Sequence, residues 1–221
     1  MTRRSRLLTT ATAGVTAAIL LAGCGGGGDG DKSDSNGKIT GADTGASASA
    51  SPSASASAAV SGRPKITLPS DVTDKYEDWK AGDAAKDAVL ADTAARIDAT
   101  NDAILRGDTG APGLSFYYRD KGLSDAVAWV QAYLDANLSF TGATRYYAPK
   151  VTMSGKATAS VVYCSDESKG FNKNRKTGKV DKSSSNQSPY VLYNTRLEKN
   201  DKGVWQTSNL ISKRGDKACS A

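Results

Sequence analysis

The sequence predicts an α+β fold in which two helices pack on one face of a curved, four- to five-stranded antiparallel sheet. Three observations lead to this prediction: alanine-rich helical spacing over residues 71–106, a second helical face over residues 126–138, and a strand-like pattern after Gly142. The apolar period changes there from about 3.6 residues, typical of helices, to about 2, typical of strands. Because the strands follow one another, they are expected to pair as a meander.

The first helix is predicted to begin at residues 68–71 and to end at Arg106-Gly107. Ser70 or Asp71 can cap its first turn, and several carboxylates follow where the helix dipole favours negative charge. The acidic cluster is interpreted as a solvated helix start, because carboxylates without a converging loop rarely bind a metal ion. No metal site is predicted.

A turn and a short segment separate the two helices. Gly110 to Gly113 predict the turn, and Leu114 to Tyr118 are expected to form a short strand or extended segment. Ser124-Asp125 is then expected to cap the second helix, which is predicted to run from Ala126 to Leu138.

Four further strands are predicted from the alternation of apolar and polar residues. Ser154-Gly155 and residues 200–203 are typical of hairpin turns between them. The predicted strands are residues 143–154, 156–165, 189–199 and 204–213.

The connection from Asp166 to Ser188 is predicted to be a long, polar, basic loop. Such a segment can contact anionic lipid headgroups or phosphate-rich wall polymers, and each base near an anionic surface contributes about 1 kcal/mol. A solvated loop without a partner is the alternative interpretation. The bases concerned are Lys169, Lys173, Arg175, Lys176, Lys179 and Lys182.

The first 23 residues have the pattern of an export signal. Three arginines precede an apolar run from Leu7 to Leu21, which is shorter than the roughly 20 residues that a bilayer-spanning helix needs. Leu21-Ala22-Gly23-Cys24 resembles the lipobox of bacterial lipoproteins. This resemblance implies that residues 1–23 are removed and that a diacylglycerol on Cys24 anchors the chain stably. An ordinary secretory signal is the alternative.

Residues 24–62 are predicted to be a lipidated cysteine followed by a flexible tether rich in glycine, serine and alanine. The folded domain is expected to span residues 63–221. The lipobox resemblance implies a location on the outer face of the cytoplasmic membrane of a Gram-positive bacterium. The formal charge of +6 includes the three arginines of the export signal. The exported chain is therefore only mildly basic, and nucleic acid is not a predicted partner.

Three cysteines are present in the chain. If Cys24 carries the lipid, Cys164 and Cys219 remain, and outside the cytoplasm they can form a disulfide. In the chain-entropy model, closing a loop of about 55 residues contributes about 4 kcal/mol to stability.

The order of helices and strands resembles that of the nuclear-transport-factor-two-like superfamily, also called the cystatin-like cone. A further likeness to exported, lipid-anchored proteins of actinobacteria rests on Ala157 to Asp166, Gly203 to Gln206 and Cys219. The resemblance implies a cone-shaped sheet closed by two helices. The superfamily includes enzymes, binding domains and inert scaffolds, so the fold alone does not select a function.

The absence of histidine limits the chemistry that the chain can perform. It removes the most common general base and metal ligand, and it excludes histidine-dependent triads and dehydratases. The enzyme hypothesis that remains is an acid/tyrosine pair, as in the isomerase branch that the fold resembles. Its candidates are Asp166 with Tyr163, Tyr118 or Tyr133.

A binding or accessory domain without catalytic activity is favoured over the enzyme, and no cofactor is predicted. A cone closed by helices often contains a pocket with apolar walls and a few polar groups. The expected partners are the membrane through the lipid anchor, together with a hydrophobic ligand, an envelope protein or an anionic wall polymer. The candidate pocket residues are Trp129, Tyr133, Trp205 and Asn209.

Overall fold

The computed structural model describes residues 61–183 and 186–220. The predicted export signal, Cys24 and all but the last two residues of the tether lie outside the described residues. The elements, in chain order, are β1 (Val72–Tyr76), α1 (Ala84–Arg106), α2 (Pro112–Tyr117), α3 (Asp120–Asp135), β2 (Leu138–Met153), β3 (Thr158–Asn174), β4 (Val180–Asp181), β5 (Tyr190–Lys199) and β6 (Trp205–Arg214).

The predicted α+β fold is confirmed, with the helices packed on a curved, open sheet. The strand order is β1-β2-β3-β5-β6, and the two-residue strand β4 pairs with β3. The sheet is mixed rather than purely antiparallel, because β1 runs parallel to β2. Two register shifts in β2, between Ala143 and Arg145 and between Tyr147 and Lys150, are irregularities of the kind that bend a strand and curve a sheet.

The first helix begins later than the sequence predicts, since residues 72–76 form β1 and α1 starts at Ala84. The predicted caps Ser70 and Asp71 are therefore wrong. The backbone groups of residues 72–76 form hydrogen bonds with β2, so this segment is stabilised as a strand and not as a helix. The backbone carbonyl of Asp71 accepts hydrogen bonds from the backbone N–H of Gly142 and the side chain of Thr141, both at 2.8 Å.

Capping residues define both ends of α1. The carboxylate of Asp83 accepts hydrogen bonds from the backbone N–H groups of Ala85 and Lys86 at 3.1 and 2.9 Å. The predicted end at Arg106 is confirmed. Gly107 has φ 72°, in the left-handed region where glycine ends helices at little steric cost.

The segment predicted as a strand at residues 114–118 is instead helical, and this prediction is wrong. Pro112 occupies the first turn of α2, where its fixed φ favours a helix and its missing N–H costs nothing. The second predicted helix exists, but α3 runs over Asp120–Asp135 rather than 126–138. Its start lies close to β6: a Cβ added at Gly122 would lie 2.4 Å from the carbonyl oxygen of Thr207.

The first nine residues of the basic connection, 166–174, belong to a strand rather than to a loop. Strand β3 continues to Asn174 and pairs with the start of β2 from Leu138 onward, so both strands are longer than predicted. Although residues 169–174 are mostly polar, their backbone N–H and C=O groups form hydrogen bonds with β2. The prediction of a long loop from Asp166 to Ser188 is therefore wrong.

The core forms between α1 and the inner face of the sheet. Val89, Leu90 and Ile97 of α1 pack in one cluster with sheet residues that include Val161 and Trp205. A second cluster joins the C-terminal part of α1 to α2 and α3. The two clusters hold the helices against the sheet at either end.

The segment that leads into the domain is attached to α1. Arg63 Nη1 forms a salt bridge with Asp92 Oδ1 at 2.5 Å and donates a hydrogen bond to the hydroxyl of Tyr117 at 3.2 Å. Ile66 packs against a small cluster that contains Ala99. These contacts fix the start of the folded domain to the middle of the long helix.

The predicted disulfide between Cys164 and Cys219 is present in the structure. It joins β3 to the C-terminal turn across a sequence separation of 55 residues. The hydroxyl of Tyr147 also donates to the carbonyl oxygen of Cys219 and holds the same turn against the sheet. No helix within residues 61–183 or 186–220 has the length and apolar character needed to cross a membrane.

Candidate ligand-binding cavity

A cavity of about 1070 Å³ lies between α1, α3 and the inner face of the sheet. Its α1 wall consists of residues spaced three and four apart, which lie on one helical face. These residues include Arg96, Thr100 and Ile104. The α3 wall is formed in the same way by Ala126, Trp129 and Tyr133, among others.

Alternate residues of the strands line the cavity from the sheet side, because successive side chains point to opposite faces. About half of them are aromatic or aliphatic, and the others are polar, charged or glycine. The aromatic and aliphatic residues include Phe140 and Tyr146 of β2, Tyr163 and Phe171 of β3, Val191 and Tyr193 of β5, and Leu210 of β6.

Arg96 lies at the inner end of the cavity and is only 4% exposed. Its Nη2 donates to the hydroxyl of Tyr163 at 2.7 Å, and its Nη1 lies 3.4 Å from the hydroxyl of Tyr118. Both tyrosine rings lie within 6 Å of its guanidinium carbon, at 5.6 and 5.9 Å. Among the described residues Arg96 forms no salt bridge, and its Nε has no hydrogen-bond partner.

Tyr163 and Tyr193 keep their phenolic protons at physiological pH. Burial raises the pKa of Tyr163, and the neighbouring Arg96 opposes this effect only in part. Burial likewise raises the pKa of Tyr193, whose ring stacks on Tyr163 at a centroid distance of 4.9 Å. The inner end of the cavity therefore presents hydroxyl and guanidinium donors rather than charged acceptors.

The outer end of the cavity is more exposed and carries an ion pair. Arg214 Nη2 contacts Glu167 Oε2 at 2.7 Å, and the hydroxyl of Tyr193 donates to Glu167 Oε1 at 3.4 Å. Trp129 is 55% exposed and packs edge-on against Tyr133 at 5.4 Å. Polarity and exposure thus increase from Arg96 towards Arg214.

Two of the four predicted pocket residues, Trp129 and Tyr133, line this cavity. Trp205 lies instead in the packed core beside α1. Asn209 is paired with the exposed Arg196, on the face of the sheet that points away from the helices. A register shift between β5 and β6 at Ser208 reverses the alternation, so that Leu210 rather than Asn209 faces the cavity.

The predicted acid/tyrosine candidates are not brought together. Asp166 lies on the outer face of the sheet, where Arg145 Nη2 contacts it at 3.6 Å, whereas Tyr163 lies on the inner face. Tyr118 contacts Arg96, and Tyr133 belongs to the α3 wall. The acid that lies beside a cavity tyrosine is Glu167, which follows Asp166 and points inward.

Two of the six predicted basic-contact residues have structural partners. Lys173 Nζ contacts Asp71 Oδ2 at 2.9 Å. Arg175 donates to the carbonyl oxygens of Ile104 and Leu105, where a cation stabilises the negative end of the helix dipole. The other four are exposed on the surface: Lys169, Lys176, Lys179 and Lys182.

Sequence reasoning missed Arg96, which the alanine-rich pattern of α1 obscures. The available signal was its position: Arg96 lies seven residues after Val89 and eight before Ile104, so it shares the buried face of the helix. A charged residue on such a face indicates either a buried partner or a binding role.

A second polar group joins β1 to α1 next to the cavity. Asn101 Nδ2 donates to Asp74 Oδ2 at 2.7 Å, and the hydroxyl of Tyr76 donates to Asp98 Oδ1 at 2.6 Å. Burial raises the pKa of Asp74 to about 7; the hydrogen bond from Asn101 opposes this rise, and the negative charge of Asp98 adds to it. Burial also raises the pKa of Asp98. No group of three potential metal ligands occurs within the described ranges.

No protein-family model matches the chain, and no curated protein matches it in sequence. Among solved structures, it is similar to a ketosteroid isomerase-like protein from Erwinia carotovora atroseptica, with a TM-score of 0.39 and 19% identity over 57% of this chain and 95% of that one. It is also similar to a hexachlorocyclohexane dehydrochlorinase from Novosphingobium barchaimii, with a TM-score of 0.41 and 12% identity over 60% and 90%.

A third similar structure is an NTF-2 like protein of unknown function from Shewanella oneidensis, with a TM-score of 0.35 and 16% identity over 56% of this chain and 98% of that one. At these identities and TM-scores the similarity supports no conclusion about activity.

Proposed function

We propose that this protein is a lipid-anchored, extracytoplasmic binding protein without catalytic activity, and that its cavity takes a small amphipathic ligand. The observation that carries the proposal is the cavity of about 1070 Å³, with partly apolar walls and a polar inner end. Ligand sites of small molecules are typically concave, largely apolar and provided with a few polar groups that fix orientation.

The acids that line the cavity favour binding over catalysis. Glu167 Oε2 is bound by Arg214, and Glu167 Oε1 accepts hydrogen bonds from Ser165 and Tyr193 at 3.3 and 3.4 Å. Asp125 is half-exposed and forms a salt bridge with Lys121 at 2.5 Å. Since both oxygens of Glu167 already have partners, this carboxylate, which lies beside Tyr193, is poorly placed to remove a proton from a ligand.

An acid/tyrosine enzyme is the second candidate, and the contact between Tyr193 and Glu167 is the observation in its favour. A ligand recovered chemically changed after incubation with the wild-type protein, but unchanged with Glu167→Gln, would establish the enzyme and reject the binding protein.

Occupancy of the cavity can be tested with a fluorescent apolar anion such as 1-anilinonaphthalene-8-sulfonate and the full chain carrying Cys24→Ala. Ser212 lines the cavity near its outer end, so Ser212→Trp is expected to fill it and to weaken binding by about tenfold or more. The control is Ile211→Trp, since Ile211 is exposed on the opposite face of β6 and its replacement should leave binding unchanged. Equal binding by both variants would contradict a cavity site.

The proposed location rests on Leu21-Ala22-Gly23-Cys24 and is supported by the disulfide, which is typical of exported proteins. Cys24→Ala is expected to move the protein from the membrane fraction of its native host to the soluble fraction, because two acyl chains provide stable anchoring. The control is the double variant Cys164→Ala/Cys219→Ala, which should stay with the membrane. Retention of Cys24→Ala at the wild-type level would contradict the anchor.

A further inference from the structure

We propose that the ligand carries a single carboxylate, and that Arg96 and Tyr163 bind this group at the inner end of the cavity. The inference rests on the proposed binding function and names the class of ligand: an acid with an apolar body. It is argued from the charge of Arg96, from its hydrogen-bond partners, and from the distribution of polar groups along the cavity.

Arg96 is a buried charge that the described residues do not neutralise. Arginine keeps its proton in proteins, so burial cannot be relieved by deprotonation. A buried charge is normally paired, because removing an ion from water costs several kcal/mol. The groups that contact Arg96 are neutral hydroxyls and aromatic ring faces. A ligand anion would supply the charge that these groups lack.

Two acids of α1 lie close to Arg96, and neither forms a salt bridge with it within the part of the chain that the structure describes. Asp92, four residues earlier, is bound by Arg63 and by the backbone N–H of Trp205. Asp98 lies two residues after Arg96 and therefore on another face. Its carboxylate accepts the hydroxyl of Tyr76, on the side of the helix that meets β1. Asp98 acts on Arg96 only at a distance, since the two form no salt bridge in the described structure.

Two donors at the inner end have no acceptor among the described residues. The first is Arg96 Nε–H. The second is the hydroxyl proton of Tyr163, because the Tyr163 oxygen accepts from Arg96 Nη2 and the structure shows no hydrogen bond that this hydroxyl donates. The hydroxyl of Tyr118, unlike that of Tyr163, has an acceptor for its proton. The Thr100 hydroxyl uses its own proton to bond the carbonyl oxygen of Arg96, so Thr100 Oγ1 can accept from Tyr118 at 2.9 Å.

One positive charge and two unused donors match a carboxylate, which has one negative charge and two oxygens. A phosphate dianion would bring a second charge and a third oxygen for which the inner end has no further donor. Aromatic and aliphatic side chains line much of the walls between Arg96 and the outer end, so the remainder of the ligand is expected to be apolar.

The test uses the full chain with Cys24→Ala and two probes of equal chain length, dodecanoate and dodecanol, with binding measured by calorimetry. The protein with an unchanged cavity should bind dodecanoate at least about tenfold more tightly than dodecanol, because charge-assisted hydrogen bonds are stronger than neutral ones. Arg96→Gln should abolish this preference, because the affinity for dodecanoate should fall about tenfold more than the affinity for dodecanol. Arg96→Lys keeps the positive charge and should therefore retain part of the preference for dodecanoate.

Tyr163→Phe gives an independent measurement if Arg96→Gln does not fold, because it removes one donor and keeps the ring that stacks on Tyr193. It should lower the affinity for dodecanoate severalfold more than the affinity for dodecanol. Equal binding of acid and alcohol by the wild type would overturn the carboxylate and leave the proposed function intact. Stronger binding of dodecyl phosphate than of dodecanoate would also overturn it. Failure of all three probes to bind would reject the proposed function itself.

Discussion

Asp92→Ala is expected to lower the free energy of unfolding by about 3–5 kcal/mol, the range found when one partner of a buried ion pair is removed. Asp92 is 1% exposed and joins three parts of the fold. Its Oδ1 contacts Arg63, and its Oδ2 accepts the backbone N–H of Trp205 at 2.8 Å. Truncation removes both acceptors and weakens the contact between α1, β6 and the segment that leads into the domain.

Urea unfolding followed by circular dichroism would measure this loss. The matched control is Asp125→Ala, which removes the same kind of salt bridge at an exposed site on α3 and should cost less than about 1 kcal/mol. Asp92→Asn should fall between the two, because it keeps an acceptor for Trp205 and loses the charge opposite Arg63. A cost for Asp92→Ala no greater than that of the control would contradict this account.

Stability is expected to fall as the pH rises from about 4 to about 7, because of Asp74. Burial raises its pKa in the folded protein to about 7, whereas an unfolded chain has a value near 3.9. Between these two values the folded state holds a proton that the unfolded state has lost, so raising the pH favours unfolding. At 1.36 kcal/mol per pKa unit the effect has an upper limit of about 4 kcal/mol, which partial exposure reduces.

The groups that face Asp74 do not offset this trend. Burial also raises the pKa of Asp98, which acts in the same direction. Tyr76 and Tyr146 stay neutral throughout this range, because burial raises the pKa of each phenol. Arg96 remains charged at every pH concerned.

Asp74→Asn removes the titrating group and keeps an oxygen that can accept from Asn101. It is expected to flatten the pH dependence of the melting temperature between pH 4 and 8 and to stabilise the protein at the upper end. The control is Asp201→Asn, in an exposed turn, which should keep the wild-type slope. A slope for Asp74→Asn equal to that of the control would show that Asp74 does not carry the effect.

Local sequence signals identified those features of the fold that depend on neighbouring residues. Gly107 ends α1 because a residue without Cβ tolerates the left-handed conformation that follows the helix. The alternation after Gly142 identified the long strands, although not their full extent. The disulfide followed from the small number of cysteines once Cys24 was assigned to the lipid.

Features that depend on distant residues were missed. Val72, Tyr76 and Trp79 fit helical spacing, yet pairing with Gly142 to Tyr146, about 70 residues later, makes the first two part of a strand. The extension of β3 has the same cause, since its basic residues lie opposite the start of β2.

The cavity shows the same division between local and distant effects. Trp129 and Tyr133 follow from helical spacing alone and line it as the sequence suggested. Asn209 is a candidate pocket residue in the sequence, but the irregularity at Ser208 turns it outward. The helical position of Arg96 indicates burial, but its partners Tyr118 and Tyr163 lie 22 and 67 positions away and do not follow from local sequence.

The attachment of Arg63 would have a mechanical consequence if the chain is anchored at Cys24, as we propose. Tension that enters along the chain meets the Arg63–Asp92 pair and the packed side chain of Ile66 before it reaches any strand. The load is thereby distributed to the longest helix and, through Trp205, to the far edge of the sheet. Drag or collision at a cell surface would thus pull against the interior of the fold instead of peeling away its short first strand.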